Sequence, residues 1–172
     1  METLTRERIL AALQRLDAHL AASERRAALY VVGGAVMCLV LDARESTRDV
    51  GAWFSDPQLV REAARRVAAE LDLPEDWLND AAKAYIPEGA GFERWGEFAH
   101  IDVLVADERT LFAMKCAAAR TAEDAEDIRL LASRLALRTV RAALDVVLRY
   151  YPEDRLPVRT RLLLEELLGG SP

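Results

Sequence analysis

The chain has 172 residues, which is an ordinary length for one domain and is enough to bury a hydrophobic core. Hydrophobic residues make up 52% of it and charged residues 30%, which excludes intrinsic disorder, a collagen-like repeat and a small disulfide scaffold. The net charge of −6 argues against a protein that coats DNA or an anionic membrane.

The first half of the chain combines helical and strand patterns. Residues 4–22 carry leucine and isoleucine at three- and four-residue spacing, which predicts an amphipathic helix. The dipeptide Asp56-Pro57 is typical of a helix start, with an N-cap followed by proline at the first helical position. In chain order, the predicted elements are helix 4–22, strand 28–32, helix 35–41, strand 49–54, helix 57–71 and a short helix at 75–83.

The second half becomes purely helical after one strong strand pattern. In chain order, we predict a loop at 87–96, a strand at 99–106, a helix at 109–120, a helix that starts at Thr121, and helices at 139–150 and 157–168. The predicted fold is therefore α/β (α+β), with a small mixed sheet and flanking helices. We expect a single domain over 1–172, with an α/β core at 1–108 and a helical part at 109–172.

Several features predict a cytoplasmic protein. Cys38 and Cys116 lie in apolar surroundings without metal-ligand spacing and are expected to be buried thiols in a reducing compartment. The N-terminus lacks the apolar core of a signal peptide, and the most apolar run, 27–41, is too short to span a bilayer. Lysine occurs only at Lys83 and Lys115, which draws attention to both positions.

The sequence offers a candidate phosphate site followed by candidate metal ligands. Gly33-Gly34 joins a strand to a helix, and glycine removes the Cβ that would obstruct a polyphosphate. Asp49 opens the next strand and Asp102 lies within the strongest one. Carboxylates on neighbouring strands at the same sheet edge could hold Mg²⁺ beside the glycine turn. Strand alternation alone equally describes Asp102 as a residue on the solvent face.

Three stretches carry a family resemblance over nearly the whole chain: YVVGGAVMCLVLDARESTRDVGAWF (30–54), DWLND (76–80) and LFAMKCAAARTAEDAEDIRLL (111–131). In order and spacing they resemble the bacterial AbiEii/MenT-like nucleotidyltransferase toxins of the polymerase-β-like superfamily. The resemblance implies a polymerase-β-like nucleotidyltransferase core and Mg²⁺- or Mn²⁺-dependent transfer of a nucleotide from an NTP to a hydroxyl. It also implies a toxin–antitoxin or phage-defence context, with a tRNA 3′ end or another RNA as acceptor and an antitoxin protein as partner.

The resemblance assigns roles to particular residues. Gly33 and Gly34 match the phosphate-binding turn, and Asp49 matches the first metal ligand, with Asp102 placed as a further carboxylate of the metal site. Lys115 matches a lysine that contacts phosphate, and Asp127 matches the acidic position of the following helix. Thr47 and Arg120 complete the residues assigned to nucleotide binding.

The chain departs from the family pattern at position 51, where Gly51 stands in place of the second metal-binding aspartate. Residues i and i+2 of a strand place two carboxylates on one face, and glycine contributes none. Gly51 therefore indicates either a naturally weakened homologue or an inactivated copy of an active enzyme. The alternative function is a non-catalytic member of the fold that binds a nucleotide or a partner.

Several residues keep a second interpretation. Lys115 also fits a lysine that snorkels to the surface, and Asp124 also fits a cap for the helix that starts at Thr121. Asp127 is placed to orient Lys115 or Arg120. The net positive region 128–172, with Arg134, Arg138, Arg141 and Arg149, fits either a solvated surface or a surface that steers an RNA backbone.

Overall fold

The computed structural model describes residues 3–118 and 122–169, without the side chains of 122 and 123. Over these residues the protein is a mixed α/β structure. The helices are α1 (Arg6–Ala22), α2 (Gly34–Leu39), α3 (Pro57–Leu71), α4 (Glu108–Ala118), α5 (Ala122–Arg134), α6 (Val140–Val147) and α7 (Val158–Leu168). The strands are β1 (Leu4–Thr5), β2 (Ala27–Val32), β3 (Ser46–Thr47), β4 (Val50–Phe54), β5 (Leu78–Asn79), β6 (Phe92–Arg94) and β7 (Ile101–Ala106).

The chain divides into two compact units. Unit 1 comprises Met1–Ala84 and Phe92–Ala106, and unit 2 comprises Tyr85–Gly91 and Asp107–Pro172. Unit 1 holds both sheets, while α4 to α7 belong to unit 2. The segment Tyr85–Gly91 joins the helical unit, although it precedes the last two strands of the sheet in the sequence.

Unit 1 is built on a five-stranded mixed sheet in the order β5-β4-β2-β7-β6. Strand β2 is antiparallel to β4 and parallel to β7. Strand β5 is parallel to β4, and β6 is antiparallel to β7. The short strands β1 and β3 form a separate antiparallel pair.

One face of the sheet is buried. In β4, Val50, Ala52 and Phe54 are buried, whereas Gly51 and Trp53 lie on the opposite, more open face. Helix α1 contributes its periodic row of leucine and isoleucine to the core, as its spacing predicts. The Asp17 carboxylate accepts hydrogen bonds from the backbone N–H groups of His100 (2.6 Å) and Ile101 (2.8 Å), which ties α1 to the start of β7.

Two predicted helix starts are confirmed by capping contacts. The Asp56 carboxylate accepts a hydrogen bond from the Leu59 backbone at 3.1 Å, at the start of α3. Thr139 caps α6 in the same way, through the Ala142 backbone N–H at 3.2 Å. Helix α1 begins at Arg6 rather than at residue 4, because Thr5 is its N-cap and Leu4–Thr5 pairs with β3.

Two predictions about the segment between α3 and β7 are wrong. The short helix expected at 75–83 is replaced by β5 and a 3-10 turn at Ala81–Tyr85, because Leu78 and Asn79 pair with β4. The loop expected at 87–96 contains β6, which pairs with β7. Trp77 anchors this region: it is fully buried and its indole N–H donates to the Ala64 carbonyl at 3.0 Å.

Unit 2 buries one of the two cysteines. Cys116 lies in the core of the helical unit, and its carbonyl accepts a hydrogen bond from the Thr160 hydroxyl at 2.8 Å. Burial raises the pKa of the Cys116 thiol and, in unit 1, that of Cys38. Both thiols are free and buried, which confirms the predicted burial. Among the helices of the described ranges, none combines the length and apolar character needed to cross a bilayer.

Candidate functional site

The Gly33-Gly34 turn lies where β2 ends and α2 begins. Gly33 has φ of 70° and ψ of −143°, a backbone conformation that residues with a Cβ rarely adopt. Nothing lies within 4 Å of the position that a Cβ on Gly33 would occupy. The turn is therefore open on this side, as a surface that receives a bulky anion must be.

Gly34 is enclosed on its other side. A Cβ added at Gly34 would lie 2.7 Å from the Thr47 hydroxyl oxygen and 3.7 Å from Nη1 of Arg44. Thr47 is buried, and its hydroxyl donates to the Asp49 carbonyl at 3.2 Å. Thr47, predicted to contact nucleotide, thus connects the glycine turn to the start of β4. Sequence reasoning gave no role to Arg44, whose guanidinium lies beside the turn.

Asp49 lies directly before β4, on the side of the strand that Gly51 shares. Its carboxylate accepts a hydrogen bond of 2.6 Å from Nδ2 of Asn79, which belongs to β5. The Asn79 amide oxygen in turn accepts from the Ala81 backbone at 3.1 Å. Asn79 therefore turns its N–H donor, and not its oxygen, toward Asp49.

Asn79 lies in the stretch DWLND, but the sequence analysis assigned it no function. The available signal was a polar residue directly after the apolar pair Trp77-Leu78.

Gly51 stands between the two strands that flank β4. It pairs with Val32 on β2 and with Asn79 on β5. The nearest atoms to an added Cβ are Cβ of Ala82 at 3.7 Å and Cγ2 of Val32 at 4.0 Å, both ordinary van der Waals contacts. A Cβ therefore fits at this position without displacing its neighbours.

Asp102 does not join this group, which corrects its predicted place in the metal site. In β7 it is paired with Ala28, near the start of β2, whereas the glycine turn follows the end of β2. Because Gly51 pairs with Val32 in the antiparallel direction, Asp49 lies two residues beyond Val32, at the level of Gly34. Asp102 lies at the level of Ala28, six residues earlier, which corresponds to about 20 Å along the sheet at ~3.3 Å per residue. The two carboxylates predicted to share an ion lie toward opposite ends of the sheet.

Asp102 instead takes the solvent-face position that strand alternation allowed. Its side chain is 36% exposed, while its neighbours Ile101 and Val103 are buried. It forms ion pairs with Arg94 and, at 3.7 Å, with Arg26.

Lys115 is clamped between two carboxylates in unit 2. Its ammonium lies 2.7 Å from Oδ1 of Asp124 and 2.8 Å from Oδ2 of Asp127. The side-chain exposures are 12%, 8% and 4% for Lys115, Asp124 and Asp127, so Lys115 does not snorkel to the surface. Of the two predicted partners of Asp127, Lys115 is in contact with it, and Asp124 makes the same kind of contact.

Two predicted positions lie outside the described residues: Arg120, assigned to nucleotide binding, and Thr121, the predicted helix start whose cap Asp124 would complete. The glycine turn and Asp49 belong to unit 1, while Lys115 and Asp127 belong to unit 2.

The residues around Asp49 do not fit the metal pair that the family resemblance implies. Within the described part of the chain, no three His, Cys, Asp or Glu side chains come together as a metal site. Gly51 and Asn79 pair with each other on neighbouring strands beside Asp49, and neither contributes a carboxylate. The Asn79 N–H also occupies one of the Asp49 carboxylate oxygens.

Comparison with known proteins gives no match: no protein-family model, no curated protein and no solved structure matches the chain.

Proposed function

We propose that this chain is a cytoplasmic nucleotide-binding protein of the polymerase-β-like nucleotidyltransferase type, in which the glycine turn receives a nucleoside triphosphate and metal-dependent transfer is absent. One observation carries the proposal. Asp49, Gly51 and Asn79 are neighbours on adjacent strands beside the turn, and only one of the three is a carboxylate.

The turn supports phosphate binding. Gly33 leaves open space where a side chain would stand, so the triphosphate meets backbone without steric obstruction. The Arg44 guanidinium beside Gly34 supplies fixed positive charge, and the planar donor set of arginine suits phosphate oxygens.

The same neighbourhood argues against transfer. Stabilising the charge that develops on a transferring phosphoryl group takes cations held by several anionic oxygens. Here Asp49 is held by an amide N–H, and the position that would add a second carboxylate is glycine. One carboxylate is too few for that arrangement, so the proposed site binds a nucleotide without transferring it.

A second candidate is an active nucleotidyltransferase that modifies RNA, the toxin of a toxin–antitoxin or defence pair. It is favoured by the buried contacts of Lys115 with Asp124 and Asp127, which match positions that the family resemblance assigns to the active site. The room at Gly51 is compatible with both origins of the glycine, a weakened homologue and an inactivated copy.

The binding half of the proposal is tested by thermal unfolding with each of the four NTPs, in Mg²⁺ and in EDTA. We expect one or more NTPs to raise Tm in both buffers, by about 5–10 °C at a concentration near 100 times Kd. Arg44→Ala abolishes this shift, while Arg48→Ala, an exposed arginine of the same segment, keeps it. Absence of any shift with all four NTPs contradicts the proposal.

The catalytic half is tested by label transfer from α-labelled NTPs to total RNA and to protein. We expect none from the wild-type chain. Transfer by the wild-type chain that Asp49→Asn abolishes contradicts the proposal and establishes the second candidate.

A matched pair of variants tests why the metal site is missing. Gly51→Asp combined with Asn79→Asp adds two carboxylates beside Asp49, and we expect Mg²⁺ then to strengthen NTP binding by about tenfold, or ~1.4 kcal/mol. Gly51→Asn combined with Asn79→Asp, which has one carboxylate fewer and the same size, gains much less. Equal responses of the two variants contradict the carboxylate explanation.

A further inference from the structure

A groove on the open face of the unit 1 sheet lies away from the glycine turn. It has a volume of about 440 Å³ and is lined by Arg26, Ala28, Tyr30, Arg94, Asp102 and Leu104. Asp102, which lines the groove, pairs with Ala28 near the start of β2, whereas Gly33 follows the end of that strand. The groove is therefore a separate feature from the proposed triphosphate site.

The apolar part of the groove belongs to a row of aromatic rings. Tyr30 lies between Trp53 and Phe92, with ring centroids 4.7 Å and 5.2 Å away. Trp53 belongs to the neighbouring strand and is 37% exposed, so the row extends beyond the groove. Large rings on an open sheet face are a surface on which the bases of a single strand stack.

The polar part of the groove has an excess of positive charge. Arg26 and Arg94 both pair with the one carboxylate of Asp102, and their side chains are 59% and 66% exposed. A guanidinium has five N–H donors, so each arginine keeps donors that a phosphate can use. Asp102 holds the two guanidiniums at the groove while it competes with any incoming anion.

We infer that this groove binds single-stranded nucleic acid, with one base on Ala28 and Leu104 against Tyr30, the next base toward Trp53, and the flanking phosphates on Arg26 and Arg94. The volume suits one nucleotide, because pockets for small ligands measure about 300–1,000 Å³. The aromatic row beyond the groove favours a strand over a free nucleotide. The rings favour a strand with bases over an acidic polypeptide.

The test is fluorescence anisotropy of a labelled single-stranded RNA or DNA of about 12 nucleotides, a length within the usual span of such sites. Arg26→Ala combined with Arg94→Ala should weaken binding about tenfold and lower the salt slope of log K by about 1.4. Tyr30→Leu, which keeps apolar volume, should weaken binding about 5-fold or more. Arg66→Ala, which removes an equally exposed arginine paired with Glu62 on α3, should change nothing.

Asp102→Asn gives an effect of opposite sign. It removes the internal competitor of the phosphates, and we expect it to tighten binding about threefold while the fold is retained. If Asp102 had only a structural role, its replacement would not tighten binding of the strand. If Tyr30→Leu reduces stability, the binding measurement with Asp102→Asn still tests the inference.

Four results overturn the inference: no binding of the strand at low salt, no difference between wild type and the arginine double variant, equal binding of a mononucleotide, or equal displacement by polyglutamate. The last would assign the groove to acidic polypeptides. The inference stands apart from the proposed function, because the arginine double variant should keep the Tm shift with NTP. Either one can therefore fail without the other.

Discussion

At the scale of single residues, the shape of the glycine turn depends on one close approach. Gly34 faces the Thr47 hydroxyl at a distance where no Cβ fits. Thr47 is buried and β-branched, and its hydroxyl donates a hydrogen bond to the Asp49 carbonyl. Because Thr47 has little freedom to move, the absence of a side chain at residue 34 sets the position of Asp49 relative to the turn.

We expect Gly34→Ala to lower the free energy of unfolding by about 1–3 kcal/mol, the usual cost of overpacking a well-packed site. Thr47→Ala removes the clashing hydroxyl, so the alanine at position 34 should cost at least ~1 kcal/mol less in that background. Urea denaturation of the two single variants and the double variant measures this coupling.

Gly51→Ala is the matched control, since its new Cβ meets only ordinary contacts. Its effect should stay within about 0.5 kcal/mol, or be slightly stabilising because glycine is a poor strand residue. Strict additivity of the Gly34 and Thr47 variants would show that the close approach is relaxed in solution.

At the scale of secondary-structure elements, the contact between α4 and α5 includes a buried ion-pair cluster centred on Lys115. Lys115 on α4 reaches both Asp124 and Asp127 on α5, and the two aspartates are one helical turn apart. A cation that serves two carboxylates fixes the register of one helix against the other more tightly than apolar packing alone.

Lys115→Met should lower the free energy of unfolding by about 3–5 kcal/mol, because it takes a shared cation from two buried carboxylates. Chemical denaturation followed by circular dichroism measures the loss. Lys83→Met, at the only other lysine of the chain and at an exposed position, should cost less than about 0.5 kcal/mol. Equal losses for the two variants would remove the argument for a structural clamp.

At the scale of the whole molecule, the chain passes between the two units three times, at residues 84–85, 91–92 and 106–107. Unit 2 holds the short segment Tyr85–Gly91 through identifiable contacts. The Tyr151 hydroxyl donates to the Tyr85 carbonyl at 2.6 Å, and the Thr110 hydroxyl accepts from the Gly91 backbone at 2.9 Å.

The Tyr151 contact predicts a loss of stability at alkaline pH. Burial raises the pKa of Tyr151 from 10.0 to about 12, because the phenolate would be poorly solvated. Since the folded pKa is raised, the contribution is complete below pH 10 and is lost as the pH rises from 10 toward 12. Between pH 9 and 11, wild type should therefore lose more stability than Tyr151→Phe, as measured by urea unfolding. Parallel profiles of the two proteins would contradict this.

How far the sequence alone predicts the structure depends on the length of each element. The sequence predicts α1 from its periodicity and α3 from its N-cap, and both are local signals that tertiary contacts here reinforce. Strands β5 and β6 have two and three residues, too few to display alternation, and they exist because neighbouring strands pair with them.

The candidate site was predicted in part for a related reason. Gly33, Gly34 and Asp49 adjoin one turn and are brought together by the antiparallel pairing of β2 with β4. Asp102 was misplaced because a strand pattern gives neither direction nor register, and its neighbour β2 runs parallel to β7. Asn79 was overlooked because its role depends on the same kind of long-range pairing.

The outermost strands of the sheet, β5 and β6, are its shortest members. A long flat border exposes a row of unpaired amide and carbonyl groups that can recruit a foreign strand and seed aggregates. Here each outermost strand offers only a few such groups, and the long hydrophobic strand β2 is paired on both sides, with β4 and with β7. The brevity that hid these strands from sequence patterns thus also protects the sheet against polymerisation along its borders.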